Sequence, residues 1–309
     1  MTEVFRKDFS AANKSVVTIG SFDGVHLGHR KILSRLKDAA NAVGGETVVI
    51  TFDPHPRRVL FPDDEPVSLL NTLEEKLALF ESEGLDKVWV IDFTPEFSRI
   101  SYQEFIVRYL VEQVKAHTVV VGYDHRFGKN RTGGLEELQK HARDYGFRVE
   151  EIPAYSIDDA NVSSTKIRRA LTEGNVALAA KFLGYEYPLT AKVVEGKKLG
   201  RTLGFPTANL LCNPEKLLPA VGVYAVWCGY DDLSHLPAIM NIGYRPTVAG
   251  TGLTAEVHLI GHEAALYGKT LTVRFAARLR DEQKFDSLEA LKKQLERDAT
   301  AALSALSGG

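Results

Sequence analysis

The sequence has few cysteines and little net charge. Only two cysteines, Cys212 and Cys228, occur among 309 residues, and they form no CxxC pair. This usage disfavours a disulfide framework and a structural zinc site. A formal net charge of −2 gives no general attraction to nucleic acid phosphates or to an anionic membrane. Any phosphate that the protein handles is therefore expected to be held by a local site.

Long hydrophobic runs are also missing. No apolar stretch approaches the roughly 20 residues that are needed to cross a bilayer. The opening residues, MTEVFRKDFSAANK, have neither the apolar centre of a secretory signal nor the acid-poor composition of a transit peptide. We therefore expect a cytoplasmic protein that has no membrane partner.

The length and the pattern of the chain predict two domains. Up to about residue 185, short β-branched runs alternate with segments of helical apolar spacing, as in βα units. Near-continuous apolar strands joined by helices predict a parallel sheet that is covered on both faces. The runs are SVVTIG (15–20), ETVVITF (46–52), DKVWVIDF (86–93), HTVVVG (117–122) and FRVEEIP (147–153).

The second part of the sequence has strands without helices between them. They are separated by Gly, Pro and Asp turns, and a single helix from about 287 to 302 closes the chain. Several short strands at this spacing predict an antiparallel β-barrel. The strands are LTAKVVE, GVYAVWCGY, LPAIMNIG, TAEVHLI and TLTVRFAARL, and we place the linker near residues 184–188.

One stretch of the first domain, GSFDGVHLGHRKIL (20–33), has the composition of an anion site. A strand that ends in glycine, a glycine-containing loop and a helix start present backbone N–H groups and a positive dipole end. His26 and His29 are three residues apart, so both imidazoles can donate to phosphate oxygens of one ligand. Gly28 lies between them and brings no Cβ into the site. A lone histidine would more often be a surface residue at a helix start, but here spacing, glycines and strand end coincide.

A second stretch, VSSTKIRRAL (162–171), begins a later helix. Ser163 and Ser164 can cap this helix, and Arg168, one turn further on, can form a fork with phosphate oxygens. The residues alone are equally consistent with an ordinary helix cap that is followed by a solvated basic face.

Together, GSFDGVHLGH and SSTKIR resemble the nucleotidyltransferase superfamily that binds ATP or CTP through its HxGH histidines. The loop GYDHRFGKNRTG (122–133) resembles the segment that flavin adenylyltransferases place beside flavin and nucleotide, with His125 where that family commonly has Phe. The resemblance implies that His26, His29 and Arg168 are catalytic. It implies a nucleotide site made of Gly20, Phe22, Asp23, Gly28, Ser163, Ser164 and Thr165, and flavin contacts from Asp124, Arg126 and Phe127.

The stretch LGRTLGFPTANL (199–210) is the corresponding feature of the second domain. In an extended chain, Thr207 and Asn209 face the same side and offer a hydroxyl and an amide oxygen. Hard oxygens with few carboxylates suit Mg²⁺ that is bound mainly through a nucleotide's phosphates. In TAEVHLI, alternation points Val257 and Leu259 inward and Glu256 to the other face. From spacing alone, Glu256 would be an ordinary solvent-facing residue, although a carboxylate there is also able to act as a base.

This second half resembles the riboflavin kinase family through GRTLGFPTAN, GVYAV, NIGYRPTV, the Glu of TAEVHLI, LYG and LRDEQKF, in that order. The chain departs from the family at Gly261 and Ala265, where Asp is common. The resemblance implies Mg²⁺ ligation by Thr207 and Asn209 and a catalytic base at Glu256. It further implies nucleotide contacts from Gly200, Arg201, Gly204 and Pro206, and a flavin contact from Arg280.

The two resemblances follow the order found in prokaryotic bifunctional riboflavin kinase/FAD synthetases. They imply a Rossmann-like α/β nucleotidyltransferase domain over 1–186 and an antiparallel barrel with a carboxyl-terminal helix over 187–309. The implied substrates are ATP, riboflavin and FMN, with Mg²⁺ as cofactor and FAD as product, in a monomer or weak homo-oligomer. Two alternatives stay open: a nucleotidyltransferase for another phosphate acceptor with a regulatory flavin-binding barrel, and a flavin-binding protein without turnover.

Overall fold

The protein is described by a computed structural model. It describes residues 1–6, 9, 14–123, 125–152, 162–195, 204–247 and 250–307, with the side chains of 245–247, 250 and 251 left aside. The chain divides into two compact units. The first contains residues 1–69 and 73–163, and the second contains residues 70–72 and 164–309.

The first unit is built on a six-stranded parallel sheet with the order β1-β4-β3-β2-β5-β6. This confirms the predicted parallel sheet and adds β1, a three-residue edge strand that the sequence pattern did not indicate. The chain leaves β2 towards β3 on one side and later returns to pair β5 on the other, so the switch point of the sheet lies between β2 and β5. The strands are β1 (Glu3–Phe5), β2 (Ser15–Ile19), β3 (Glu46–Asp53), β4 (Lys87–Asp92), β5 (Ala116–Gly122) and β6 (Arg148–Ile152).

Helices cover both faces of this sheet, which is why its strands are apolar without alternation. One face packs on α1 and α3 through Leu33, Leu36 and Phe80, as the helical spacing predicts. The other face packs on α4 and α5 through Phe105, Leu110 and Leu138. The helices are α1 (Leu27–Val43), α2 (Pro56–Leu60), α3 (Leu73–Ser82), α4 (Tyr102–Glu104, continued as a π-helix over Phe105–Gln113) and α5 (Leu135–Tyr145).

The start of α4 is capped by the side chain of Ser101. Oγ of Ser101 accepts a hydrogen bond from the backbone N–H of Glu104 at 3.1 Å. The continuation as a π-helix was not predicted. In it, the rings of Phe105 and Tyr109 stack with centroids 5.2 Å apart.

The second unit contains a closed six-stranded barrel with the order β10-β11-β8-β7-β12-β9, and all its pairs are antiparallel. This confirms the predicted barrel. Its interior is filled by residues such as Tyr224, Val257 and Phe275, each at most 1% exposed. The strands are β7 (Tyr187–Val194), β8 (Ala208–Leu211), β9 (Gly222–Tyr230), β10 (Leu233–Thr247), β11 (Gly250–Leu259) and β12 (Thr270–Arg280).

Three helices complete this unit: α6 (Ser164–Thr172), α7 (Val176–Leu183) and α8 (Leu288–Ser307). The predicted carboxyl-terminal helix is confirmed as α8, and Oγ of Ser287 accepts from the N–H of Ala290 at its start. Its residues Ala302 and Leu306 pack against β9 and β10. In the part of the chain that is described, no helix is both long and apolar enough to span a membrane.

The boundary of the compact units lies ahead of α6, before the predicted linker. Helices α6 and α7 pack with the barrel. The N–H of Ala220 donates to the carbonyl of Leu171 on α6 at 2.9 Å, and Arg278 on β12 lies against Gly174, between α6 and α7. Residues 70–72 join the same unit, in which Nζ of Lys216 donates to the carbonyl of Leu70 at 2.6 Å. The functional limits 1–186 and 187–309 stay a prediction.

Candidate functional site

The loop from β2 to α1 lies at the switch point of the parallel sheet. Strand β2 is fully buried, and the N–H of Gly20 still donates to the carbonyl of Ile50 on β3 at 3.0 Å. Phe22 and Val25 then have φ angles of 48° and 35°, a left-handed conformation that is uncommon for residues other than glycine. Both side chains are buried, at 2% and 0% exposure, so packing holds the loop in this unfavourable conformation.

The two predicted histidines meet at the start of α1. His26 is the N-cap residue, and its Nδ1 accepts from the backbone N–H of His29 at 3.4 Å. The two rings stack, with centroids 3.6 Å apart and planes 15° apart. Phe22 contacts the His29 ring edge-on at 5.2 Å. The structure therefore brings both imidazoles to the helix end where backbone N–H groups and the dipole favour an anion.

Burial keeps both histidines neutral near pH 7. Burial lowers the pKa of His26 to about 4, against a smaller opposing effect of Asp23. Burial, His26 and Lys76 together lower the pKa of His29 well below its ordinary value. A neutral imidazole has one donor and one acceptor. Because Nδ1 of His26 accepts, its proton is on Nε2, which is then the atom that can donate to a ligand.

His29 has hydrogen-bonding capacity left over. Its Nδ1 is buried and has no hydrogen-bond partner among the described residues. Buried polar atoms in proteins are normally paired with protein or water. An unused nitrogen beside a helix amino terminus is what a site for a polar ligand is expected to have.

A buried lysine that the sequence analysis missed lies beneath the same loop. Lys76, on α3, is 8% exposed. Its Nζ donates to the carbonyl of Ser21 at 3.2 Å, to Oγ1 of Thr51 at 3.0 Å and to the carbonyl of Phe52 at 3.5 Å. Burial lowers its pKa to about 8, and Asp23 and Asp53 oppose that shift. The apolar spacing of α3 around a single lysine was the only sequence signal.

The remaining predicted nucleotide residues lie in two separate stretches of the chain. Asp23 and Gly28 are buried in the loop and the first turn of α1. Ser163 directly precedes α6, while Ser164 and Thr165 begin it. Arg168 is partly exposed one turn further on, and its neighbour Ile167 is buried.

The predicted flavin segment follows β5, at the same edge of the sheet. Asp124 lies outside the described residues. The guanidinium of Arg126 lies over Gly134, where a Cβ would collide with it. Phe127 is 8% exposed and belongs to the core, with its ring 5.6 Å from those of Phe105 and His125. Its side chain therefore packs the segment onto the sheet.

The second site forms on the outer face of the barrel. Glu256 on β11 pairs with Asn209 on β8 and with Asn241 on β10. Oγ1 of Thr207 donates to Oε2 of Glu256 at 3.3 Å. The structure thus brings together Thr207 and Asn209, whose shared side alternation predicted, and Glu256, which the resemblance assigned. Asn241, in the NIGYRPTV motif, was not singled out from the sequence.

Glu256 is more buried than its outward direction suggests. It is 9% exposed, whereas the bare alternation favoured a solvent-facing residue. The segment before β8 packs over this face: His258 contacts the carbonyl of Pro206 through Nδ1 at 2.8 Å, and its ring lies 5.1 Å from that of Phe205. Gly204, with φ of 81°, turns the chain into this segment, while Gly200 and Arg201 lie outside the described residues.

The donors on this face are hard oxygens from a hydroxyl, an amide and a carboxylate, which is the chemistry that Mg²⁺ prefers. Among the described residues, no cluster of three or more His, Cys, Asp or Glu side chains has the arrangement of a metal centre. The hydroxyl of Thr207 and the amide oxygen of Asn209 are neutral oxygen donors, and such donors fit an ion that is held mainly by a nucleotide's phosphates.

Arg280, the predicted flavin residue of the barrel, has a protein partner. Its Nε and Nη2 donate to both carboxylate oxygens of Asp298 on α8, at 2.7–3.1 Å. Gln294 donates to the same carboxylate at 2.8 Å. Asp298 is 3% exposed, so this ion pair attaches α8 to the end of β12.

Of the two departures from the kinase pattern, one has a conformational reason. Gly261 follows β11 with φ of 67°, the left-handed region that glycine enters most easily. Ala265 is an exposed residue of the turn before β12.

Comparisons with known proteins match both units. The FAD synthetase family model matches residues 8–166. The riboflavin kinase family model matches residues 183–306. The bifunctional riboflavin kinase/FMN adenylyltransferase of Pseudomonas fluorescens is 40% identical over 288 residues, which is 93% of this chain and 91% of the relative. The protein of the same name from Escherichia coli K12 is 39% identical over 287 residues, with the same coverage.

A solved structure has the same fold over nearly the whole chain. It is a Streptococcus pneumoniae protein described as a macrolide-efflux protein, with 31% identity, a TM-score of 0.87 and 98% coverage of both chains. The identity to the curated relatives extends over both sites, from the histidine loop to the barrel. The chain belongs to the bifunctional riboflavin kinase/FMN adenylyltransferase family.

Proposed function

We propose that the chain makes FAD from riboflavin in two successive ATP-dependent reactions, one in each unit. The observation that supports this most strongly is the presence of two sites of different chemistry within the two family-matched segments. One is a neutral histidine pair at a helix amino terminus, and the other is a buried carboxylate beside a hydroxyl and an amide. The first suits transfer of a nucleotidyl group, and the second suits phosphorylation of an alcohol.

In the first unit, a phosphate oxygen of FMN attacks the α-phosphorus of ATP and the bond to pyrophosphate breaks. His26 and His29 donate to the phosphate oxygens on which negative charge develops. Being neutral, they add donors without forming a strong ground-state ion pair. By the resemblance, Arg168, Ser163, Ser164 and Thr165 contact the triphosphate within the adenylyltransferase segment 1–186, and Gly20, Phe22, Asp23 and Gly28 form the nucleotide site. The phosphate of FMN is itself the nucleophile, so no covalent enzyme intermediate is needed.

In the second unit, Glu256 accepts the proton of the ribityl primary alcohol as that oxygen attacks the γ-phosphorus of ATP and ADP leaves. Thr207 and Asn209 would hold Mg²⁺, which would neutralise phosphate charge. The hydrogen bond from Thr207 orients the Glu256 carboxylate, because it occupies Oε2 at 3.3 Å. The resemblance assigns the nucleotide contacts of this unit to Gly200, Arg201, Gly204 and Pro206.

The flavin contacts, the domain limits and the setting belong to the same proposal. The resemblance assigns flavin contacts to Asp124, Arg126 and Phe127 in the first reaction and to Arg280 in the second. The adenylyltransferase spans 1–186 and the kinase 187–309. The protein works in the cytoplasm as a monomer or a weak homo-oligomer, which sedimentation over a range of concentrations would test.

The decisive test is a chromatographic time course with riboflavin, ATP and Mg²⁺, repeated from FMN. FMN followed by FAD supports both activities. FAD from FMN alone would restrict the activity to the first unit. Product from another phosphate acceptor but none from FMN would favour the alternative nucleotidyltransferase with a regulatory barrel.

Two pairs of variants separate the sites. Glu256→Gln should lower riboflavin phosphorylation by about 10²–10⁴-fold and leave FAD formation from FMN unchanged. Its control is Glu263→Gln, at an exposed residue of the following turn. His29→Ala should lower FAD formation by about 10²–10³-fold and spare the kinase. Its control is His117→Ala, in β5 of the same unit. A crossed pattern, or no loss in either variant, would contradict the assignment.

A further inference from the structure

The buried lysine beneath the histidine loop belongs to none of the motifs that the sequence analysis singled out. Lys76 is on α3, and the three acceptors of its ammonium group lie at the carboxyl ends of β2 and β3. Thr51 in turn donates from Oγ1 to the carbonyl of Ser21 at 3.4 Å. The lysine therefore connects both strands to the chain just before Phe22.

Burying a lysine is unfavourable unless its charge and its donors are satisfied. Here the three N–H donors have three protein acceptors, and Asp23 and Asp53 interact with the charge. No donor is left over for a ligand. Direct contact with ATP is therefore not the role of this side chain, even though its positive charge lowers the pKa of His29.

Lys76 anchors the loop segment that positions the two histidines. Ser21, whose carbonyl it binds, is next to Phe22, and Phe22 contacts His29. Phe22 and Val25 are in strained left-handed conformations. Without an anchor on Ser21, the strained loop would have a way to relax, and the histidine donors would shift with it.

We propose that Lys76 is a positioning residue for adenylyl transfer, which fixes the Ser21–His26 loop so that the histidine pair meets the transferring phosphate. This inference rests on the proposed function of the first unit. A donor displaced by about 1 Å loses on the order of 10²-fold in rate. The loss falls on kcat, because the transition state is more sensitive to donor position than substrate binding is.

The test uses the full-length protein and measures kcat and the KM for ATP in FAD formation from FMN. Lys76→Met keeps an unbranched side chain but removes the charge and all three donors. We expect kcat to fall about 10²-fold, with a much smaller change in KM, while riboflavin phosphorylation stays at the parent rate. The matched control is Lys37→Met on α1 of the same unit. Nζ of Lys37 donates to the carbonyl of Glu83, just after α3, at 2.7 Å.

A second pair keeps the proposal testable if Lys76→Met fails to fold. Thr51→Val removes one acceptor of Lys76 and the donor to Ser21 at nearly constant volume, and Thr51→Ser restores both. We expect kcat to fall in the valine variant and to recover in the serine variant.

The outcomes separate the role of Lys76 from the proposed function. A parent protein that makes no FAD would refute the proposed function itself. A parent that makes FAD, with Lys76→Met folded and equal to it in kcat, would overturn the positioning role. A loss of activity that only follows the loss of folded protein, with kcat per folded molecule unchanged, would also overturn it, because that is what a purely structural lysine gives.

Discussion

Acid should destabilise the first unit through His26, and the effect can be isolated by one substitution. The folded protein holds the pKa of His26 at about 4 because the ring is buried, whereas the unfolded chain has the ordinary value of 6.5. Between these values the unfolded chain binds more protons than the folded one. Stability is therefore fully present above about pH 6.5 and is lost as the pH falls towards about 4. From these two pKa values, the loss at pH 5 is about 2 kcal/mol for His26 alone.

His26→Asn is the informative variant. Asparagine is a good N-cap residue, so α1 keeps its cap, but it cannot take up a proton. The chain has only two tryptophans, Trp89 in the first unit and Trp227 in the second. In a Trp227→Phe background, urea unfolding followed by Trp89 fluorescence reports on the first unit. The measurement compares the free energy of unfolding at pH 7 and at pH 5 with and without His26→Asn.

We expect the parent to lose about 2 kcal/mol more than the variant over this interval. Effects that are the same at both pH values, such as the loss of ring stacking on His29, cancel in the difference. Carboxylates that are common to both proteins also cancel. Equal losses in parent and variant would mean that the folded protein accepts a proton at His26 readily, and the neutral donor pair would be refuted.

Three further predictions concern Lys76, Thr207 and the Arg280–Asp298 pair. Burial lowers the pKa of Lys76 to about 8, against the opposing effects of Asp23 and Asp53, so FAD formation should fall above about pH 8 as the ammonium loses its charge. The test is to measure the pH profiles of FAD formation and of riboflavin phosphorylation on one sample. A parallel decline of riboflavin phosphorylation would contradict the prediction. Thr207→Val should raise the Mg²⁺ concentration that half-saturates riboflavin phosphorylation, as measured by Mg²⁺ titration, and an unchanged requirement would exclude the hydroxyl as a ligand. Arg280→Met leaves the buried Asp298 carboxylate without its cation and should destabilise the second unit by about 3 kcal/mol, as measured by urea unfolding. If instead the KM for flavin rises and the urea midpoint does not change, Arg280 has a ligand-binding role.

Local pattern was sufficient wherever one residue property repeated at a regular spacing. The apolar runs around Val17, Val48 and Val119 predicted parallel strands because both faces of each strand are covered. The spacing of His26 and His29 predicted a shared helix end, and their rings do stack. Alternation predicted that Thr207 and Asn209 face one side, the resemblance assigned Glu256, and pairing of β8 with β11 brings the three together.

Other features depend on contacts between segments that are distant in sequence. Lys76 looks like an ordinary helix residue until α3 packs against the ends of β2 and β3. The burial of Glu256 depends on the segment before β8, which covers an outward-facing strand position. Arg280 was assigned to flavin from its motif, and only the packing of α8 shows that its guanidinium binds Asp298.

The sequence by itself determined most of the elements, apart from β1 and the π-helix, together with the two-part organisation and the residue types of both sites, because periodicity, turn residues and short motifs are local properties. The tertiary structure decided the protonation state of the histidines, the exposure of the catalytic carboxylate candidate and the partner of each buried charge. These depend on desolvation and on which side chains meet across the fold, and neither quantity is written in the spacing of residues along the chain.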